Sequence, residues 1–337
     1  VAKMTIEQAF AKKFAEFFDN NAFNGVIGVG VDGDVIYKEA WGIANPNEDE
    51  LKTSSIFNLA SVSKQFTALC IMMLYQDEAL HYDDLICNYL PEFENKAYQD
   101  ITIRHLLQHT SGLADYEEVV DEHWDSDEIV TNDDILALFA EHEPDLLFKV
   151  GKKHDYCNTG YAFLASIVER VSESSFEDFL QERIFEPLAM KHSFGYRISS
   201  GKPPYKKVVG FEVVDDEYVE SDSCYVDGII GDGNIFSNVD DLIKYNAALF
   251  TNELVSQKTL AEAYKPTKLS NGEIYYYGFG WDLYESGEFV SHTGSWMGFR
   301  SYFLRDLSSK QVFIALDNST NEALYEQVDA VVDPFYG

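Results

Sequence analysis

The sequence predicts an α+β fold, an antiparallel sheet flanked by helices with a mainly helical domain inserted. Three observations carry this. β-Rich runs and tight turns lie towards both ends of the 337-residue chain, helical periodicity fills its middle, and no uninterrupted apolar run is long enough to cross a bilayer. Residues 1–77 and 225–337 are therefore expected to form one α/β domain around the sheet. Residues 78–224 are expected to form the helical domain.

In chain order, residues 4–20 read as an amphipathic helix with Ala9, Phe10, Phe14, Phe17 and Phe18 on one side. Gly25–Val31 and Val35–Trp41 read as strands joined at Asp32-Gly33-Asp34, because Asp-Gly between β-rich runs signals a hairpin. A helix is expected from Ser61, with Phe66, Leu69, Cys70, Met73 and Leu74 at helical spacing. Leu85–Leu90, Ile103–Leu107, Ile135–Phe139, Tyr161–Val171 and Phe176–Phe185 continue the helical reading, punctuated by Gly151 and by Gly201 to Pro204. Further on, turns separate the β-rich runs Tyr275–Tyr284, Glu288–His292, Arg300–Leu307 and Gln311–Leu316. Asn321–Val332 is expected to close the chain as a helix.

Composition excludes several classes. A hydrophobic share of 46% with 25% charged residues is that of a globular chain, not a disordered one. The 25 basic against 58 acidic residues give a net charge of −33, which repels phosphate backbones and anionic lipid. The doublets Lys12-Lys13, Lys152-Lys153 and Lys206-Lys207 are too short and scattered to form a basic patch, so no nucleic-acid partner is expected. Cys70, Cys87, Cys157 and Cys224 show no CxxC or metal spacing, and three disulfide connectivities stay open. Cys70, in an apolar helical pattern, reads as a buried free thiol.

Three motifs fail on context. Gly28-x-Gly30-x-x-Gly33 matches a dinucleotide fingerprint by letters, but its glycines lead into a second strand, not a helix. Close packing around a hairpin is the reading instead. His105 and His109 stand four apart without a neighbouring Glu or a third ligand, and the run Asp121–Asp134 lacks the central Gly of a calcium loop.

The informative segment is Ser61-Val-Ser-Lys64. A serine hydroxyl needs a base to become a nucleophile, and Lys64 lies one turn on, on the same helix face. Burial and the positive helix end would both lower its pKa. Tyr156-Cys-Asn158 precedes an apolar helix. Tyr156 could ionise in part and shuttle protons beside Lys64, and Asn158 could hold a substrate amide. Ser291-His292-Thr293-Gly294-Ser295 ends a late strand, where Gly294 would let substrate lie against the edge. The backbone N–H groups of Ser61 and Ser295 would face a developing oxyanion.

These three segments resemble the Ser-x-x-Lys, Tyr-x-Asn and Lys/His-Thr-Gly motifs of the penicillin-recognising serine hydrolases. The branch is that of class C β-lactamases, low-molecular-weight D,D-peptidases and related esterases. Ile101 to Leu113 and Gly231 to Ser237 are further matches, and the likeness spans nearly the whole chain. The resemblance implies the β-lactamase/transpeptidase-like fold with the active site in a cleft between the two domains, an acyl-enzyme on Ser61, and no metal or organic cofactor. It makes Ser61, Lys64 and Tyr156 catalytic, and Asn158, His292, Thr293, Gly294 and Ser295 substrate-binding. Histidine at 292, charged only part of the time near neutrality, replaces a fixed lysine cation. Esterase or D,D-peptidase-like activity on a small-molecule or peptide substrate is thus favoured over efficient β-lactam hydrolysis. A sensor or scaffold with little turnover is the alternative. A periplasmic or secreted setting follows from the resemblance, with a cytoplasmic one possible; the oligomeric state stays open.

Overall fold

The computed structural model describes residues 5–18, 23–94 and 96–336. Its ten α-helical segments are α1 (Ile6–Phe18), α2 (Lys64–Gln76), α3 (Ile103–Leu107), α4 (Tyr116–His123), α5 (Asn132–His142), α6 (Asn158–Ser172), α7 (Phe176–Leu180), α8 (Val239–Ala248), α9 (Gln257–Leu260) and α10 (Leu324–Tyr336). The main sheet has six strands: β1 (Gly25–Val31), β2 (Asp34–Trp41), β3 (Asp282–Leu283), β4 (Phe289–Trp296), β5 (Phe299–Asp306) and β6 (Gln311–Asp317). They are antiparallel throughout, in the order β3-β4-β5-β6-β1-β2, so β1 from the start of the chain pairs with β6 near its end.

Side-chain alternation explains how the sheet is covered. Ile27, Val29, Tyr302, Leu304, Phe313 and Ala315 face one way. There they meet Phe10, Phe14 and Phe18 of α1 and Leu324, Val328 and Val332 of α10. Val26, Phe303, Val312, Ile314 and Leu316 face the other way and join a larger cluster with α8, α2 and the middle helices. Helix α2 is buried from Lys64 to Leu74, as expected of a helix apolar nearly all round.

Gly28 and Gly30 settle the fate of the glycine-rich strand. An added Cβ at Gly28 would lie 2.0 Å from Val239 Cγ1, and one at Gly30 would lie 2.6 Å from Ile243 Cγ2. Bare backbone there lets α8 press onto β1. The hairpin turn falls where expected, with Asp32 and Gly33 both at positive φ.

Several expectations are corrected. Leu85–Leu90 holds only the 3-10 turn Ile86–Asn88, which ends at Tyr89, and Pro91, which has no N–H to extend a helix from before it, opens a second 3-10 turn, Pro91–Phe93. The middle of the chain also contains a hairpin, Phe211–Val214 with Glu217–Glu220, turning at Asp215 and Asp216, both at positive φ. Tyr275–Tyr284 is broken into two-residue strands around positive-φ Gly280. Strand β4 runs through Trp296, so Thr293 to Ser295 lie within it and not past its end. The expected first helix reaches Met4 and residues 19–20, which lie outside the described residues. Among the described residues all four cysteines are free, and no helix is long and apolar enough to cross a membrane.

A stability prediction follows from the α8 contact. Gly28→Ala should lower the free energy of unfolding by about 1–3 kcal/mol through overpacking against Val239. Urea unfolding would show a lower midpoint at similar slope; an unchanged midpoint would mean the contact is soft.

Candidate active site

Ser61 lies in the 3-10 turn Ala60–Ser63, which runs straight into α2. The expected helix start is therefore displaced to Lys64. Ala60 adopts φ +47°, and its N–H donates to Asn58 Oδ1 at 2.9 Å, tightening the entry. A 3-10 turn eclipses residues three apart, so Ser61 and Lys64 still share one face.

Lys64 is fully buried, and its Nζ has three acceptors. It donates to Ser61 Oγ at 3.0 Å, to Asn158 Oδ1 at 2.8 Å and to the Asp232 carbonyl at 2.8 Å. Burial lowers its pKa from 10.5 to about 8, against the opposing pull of the carboxylates of Asp232, Asp115 and Glu117. That shift corresponds to about 3 kcal/mol taken from the ammonium relative to the amine.

Asn158 is the first residue of α6, and Cys157, between it and Tyr156, is extended. The segment is pinned from beside. Cys157 N donates to His109 Nδ1 at 3.0 Å, Thr159 Oγ1 to the Ala114 carbonyl at 2.7 Å, and Tyr161 OH to the Leu107 carbonyl at 2.7 Å. The stretch around His109 thus acts as a splint for Tyr156 and Asn158. His105 is spent elsewhere: its Nδ1 accepts from Thr102 N at the start of α3.

The Tyr156 ring lies 4.8 Å from Lys64 Nζ and 4.3 Å from the His109 ring. One side of the residue stays open, at 43% exposure. Desolvation nevertheless raises its pKa well above 10, and hydrogen bonding to Ser61 only opposes that rise. Partial ionisation of Tyr156 is therefore corrected: the phenol is neutral, able to donate and accept but carrying no charge.

His292 requires a second correction. It is 2% exposed, one nitrogen pairs with Tyr277 OH at 3.0 Å, and the other meets the Thr293 carbonyl at 2.6 Å. The carbonyl can only accept, so Nδ1 carries the proton and Nε2 accepts from Tyr277. Burial and nearby Lys64 lower its pKa to about 3, so the imidazole is neutral across the physiological range. It supplies no charge to a substrate carboxylate.

Gly294 does more than clear an edge for substrate. An added Cβ would lie 2.6 Å from the Leu59 carbonyl and 2.8 Å from Ser61 N, so β4 packs directly against the Ser61 turn. Ser301 Oγ of β5 donates to the Leu59 carbonyl at 2.6 Å, joining sheet and turn, and Tyr325 OH of α10 donates to the Gly294 carbonyl at 2.6 Å, holding β4 from its other side. Thr293 is half-buried and Ser295 exposed on the same strand.

The cavity beside Ser61 is lined by Tyr116, Asn158, Asp227, Asp232, Asn234 and Trp296, among others. Sequence reasoning missed Tyr116, Asp227, Asp232 and Trp296. The Gly231-Asp-Gly-Asn stretch had drawn attention, but nothing in its spacing says that the Asp232 side chain faces this cavity. Among the described residues, no group of three or more His, Cys, Asp or Glu is placed to hold a metal ion.

Comparison with known proteins places the chain in a family. The model of the Beta-lactamase family matches residues 10–333. Penicillin-binding protein 4* of Bacillus subtilis (strain 168) is 37% identical over 328 residues, covering 93% of this chain and 72% of that protein. A D-aminopeptidase of Cereibacter sphaeroides is 28% identical over 284 residues, 82% of this chain but only 53% of that protein. Among solved structures, the octameric penicillin-binding protein homologue from Pyrococcus abyssi superposes with a TM-score of 0.82 at 26% identity, over 98% of this chain and 78% of that one. With a family match over almost its whole length and an α+β architecture to go with it, the chain belongs to the Beta-lactamase family of serine hydrolases.

Proposed function

We propose that this protein hydrolyses ester or amide substrates through an acyl-enzyme on Ser61, with esterase or D-amino-acid peptidase-like activity favoured over efficient β-lactam turnover. The reaction takes place in the cleft between the domain of residues 1–77 and 225–337 and that of residues 78–224. The observation that carries the reading is the set of three contacts made by Lys64 Nζ.

Two of those acceptors, Asn158 Oδ1 and the Asp232 carbonyl, hold two N–H bonds. When Lys64 loses a proton, the lone pair is left facing Ser61 Oγ. With a pKa of about 8, roughly one lysine in ten is already neutral at pH 7. Ser61 Oγ then attacks the acyl carbon as its proton passes to Lys64. The carbonyl electron pair moves onto oxygen, facing the backbone N–H groups of Ser61 and Ser295. Collapse expels the leaving group, which takes a proton by way of the neutral Tyr156 phenol. Water attacks the ester on Ser61 by the reverse proton path and releases the acid. Gly294 keeps β4 near the turn, and Thr293 and His292 hold that strand in place.

The substrate preference rests on charge. A neutral, buried His292 gives no fixed cation for a carboxylate of the kind β-lactam antibiotics carry. The relatives named penicillin-binding protein and D-aminopeptidase keep both peptide and amide substrates in range.

Four measurements test this. Incubation with a fluorescent penicillin or an activated phosphonate should add one covalent group to Ser61, read by intact mass and absent in Ser61→Ala. A folded wild-type protein that takes no adduct sinks the proposal. Short-chain p-nitrophenyl esters should turn over faster than a chromogenic cephalosporin, and the reverse order would remove the stated preference. Finally, kcat/KM should rise with pH through about 8, because the active form is the unprotonated lysine. Lys64→Ala and Tyr156→Phe should each cost about 10²-fold or more; a near-wild-type rate in either removes that residue from the proton path.

A further inference from the structure

The cavity beside Ser61 is unbalanced in charge. Asp227 and Asp232 are in its wall, and no Lys, Arg or His is. Lys64 lies behind the wall, fully buried, with its three donors directed at Ser61, Asn158 and the Asp232 main chain.

The two carboxylates differ in what they are free to do. Asp227 is occupied: Oδ1 accepts from Trp296 Nε1 at 2.8 Å and Asn234 Nδ2 at 3.1 Å, and Oδ2 from Cys224 N at 2.7 Å. It is a structural tie between the end of β4 and the loop before Ile229. Asp232 accepts one side-chain hydrogen bond, from Tyr116 OH to Oδ2 at 2.8 Å. Lys64 binds its carbonyl and not its carboxylate. Asp232 is 9% exposed and lines the cavity, so its remaining oxygen is a sheltered acceptor without a cationic partner.

The surroundings amplify this. Asp115 and Glu117 at the start of α4 add to the field of Asp232 and Asp227. Burial first, and then the neighbouring carboxylates, push the Glu117 carboxyl up to about 7; burial also raises Asp232, against the opposing pull of Lys64 and of the Tyr116 hydrogen bond. The converse ligand is poorly served. Arg300, which pairs across from Ser295, is bound to Glu322 and to the carbonyls of Met297 and Phe299, and His292 is neutral.

The cavity also has a side. Tyr156, the donor to the leaving group, is not one of its walls, whereas Asn158 and Ser61 are. The acyl portion of the substrate is therefore the part that enters.

The geometry points to Asp232, oriented by Tyr116, as the binding site for a protonated amine on the acyl side of the substrate, which makes aminoacyl amides or esters with a free ammonium the preferred class. This deepens the hydrolase reading above and rests on it. Paired with a buried carboxylate, an ammonium gains a charge-assisted hydrogen bond that an acetamide cannot make. A succinyl group in the same place would bring a like charge.

The test compares thiobenzyl esters of alanine, in both enantiomers, with the amine free, acetylated or succinylated. The wild-type protein should favour the better free-amine enantiomer over its acetylated form by tenfold or more in kcat/KM, with the succinylated ester lowest. Asp232→Asn should bring the ratio towards one, by raising KM and lowering kcat for the free amine. No variant is needed for a second measurement. The wild-type ratio should decline as pH rises through the substrate amine's own pKa, near 8, whereas proton loss from Asp232 and Glu117 at lower pH acts the other way, by strengthening the field that holds the ammonium. A ratio of one or below in the wild type, or one unaltered by Asp232→Asn, overturns the assignment and leaves the hydrolase reading standing. Inactivity towards all three esters, with no adduct on Ser61, overturns that reading and this one together.

Discussion

The constraint on which the site depends is an ammonium with no water around it. Lys64 is fully buried, so its charge must be met by protein groups or given up. The chain does some of each. Three oxygens satisfy the donors, none of them a carboxylate, and burial then moves the pKa to about 8. A direct ion pair with Asp232 would have held the lysine protonated. Placing the Asp232 carbonyl against Nζ, and turning its carboxylate towards Tyr116, gives positional control while leaving the amine titratable.

Each acceptor comes from a different part of the chain, and that explains much of the scaffold. Ser61 is positioned by the left-handed Ala60 and the clasp of Ser301 on Leu59. Asn158 is positioned by the splint from Leu107 to Ala114. The Asp232 segment is tied to α2 through Thr67 Oγ1, which donates to the Gly231 carbonyl at 2.6 Å, and to the chain ahead of the Ser61 turn through Asn58 Nδ2, which donates to Asn234 Oδ1 at 3.2 Å. Buried side-chain to main-chain bonds of this kind suit a task needing sub-ångström placement, because an unmade bond costs more than a made one returns.

The sequence displayed the periodic parts of this structure and concealed the irregular ones. Helices α2, α5 and α6 and the strands of the main sheet follow their hydrophobic patterns, since a core-facing stripe or alternation leaves a mark in the residue types. The Ser61, Tyr156 and His292 motifs were legible because short spacings on helix and strand fix shared faces. The state of His292 was not, since neutrality comes from burial and from Tyr277, fifteen residues away in sequence and without a pattern linking them. The same holds for Tyr156, whose raised pKa reflects what encloses it. Asp232 and Tyr116 are 116 positions apart, and only the fold brings them to one cavity. The hairpin at residues 211–220 escaped because its strands are almost wholly exposed, so no buried face imposed an alternation.

The acidic cavity and the lysine place opposite demands on one region. The carboxylates of Asp232, Asp115 and Glu117 raise the pKa of Lys64, which favours the inactive ammonium, and burial has to outweigh them. A cation bound at Asp232 alters that balance. It cancels the field of the nearest carboxylate and adds a like charge near Nζ, and both effects favour the neutral amine. An ammonium on the acyl group would then do two things at once: dock the substrate and release the base that attacks through Ser61. A neutral acyl group of the same size would fill the cavity and leave Lys64 under the full pull of its acidic neighbours. On this argument selectivity for a charged acyl group belongs partly to the chemical step, because the charge that is recognised also sets the proton affinity of the residue that starts the reaction.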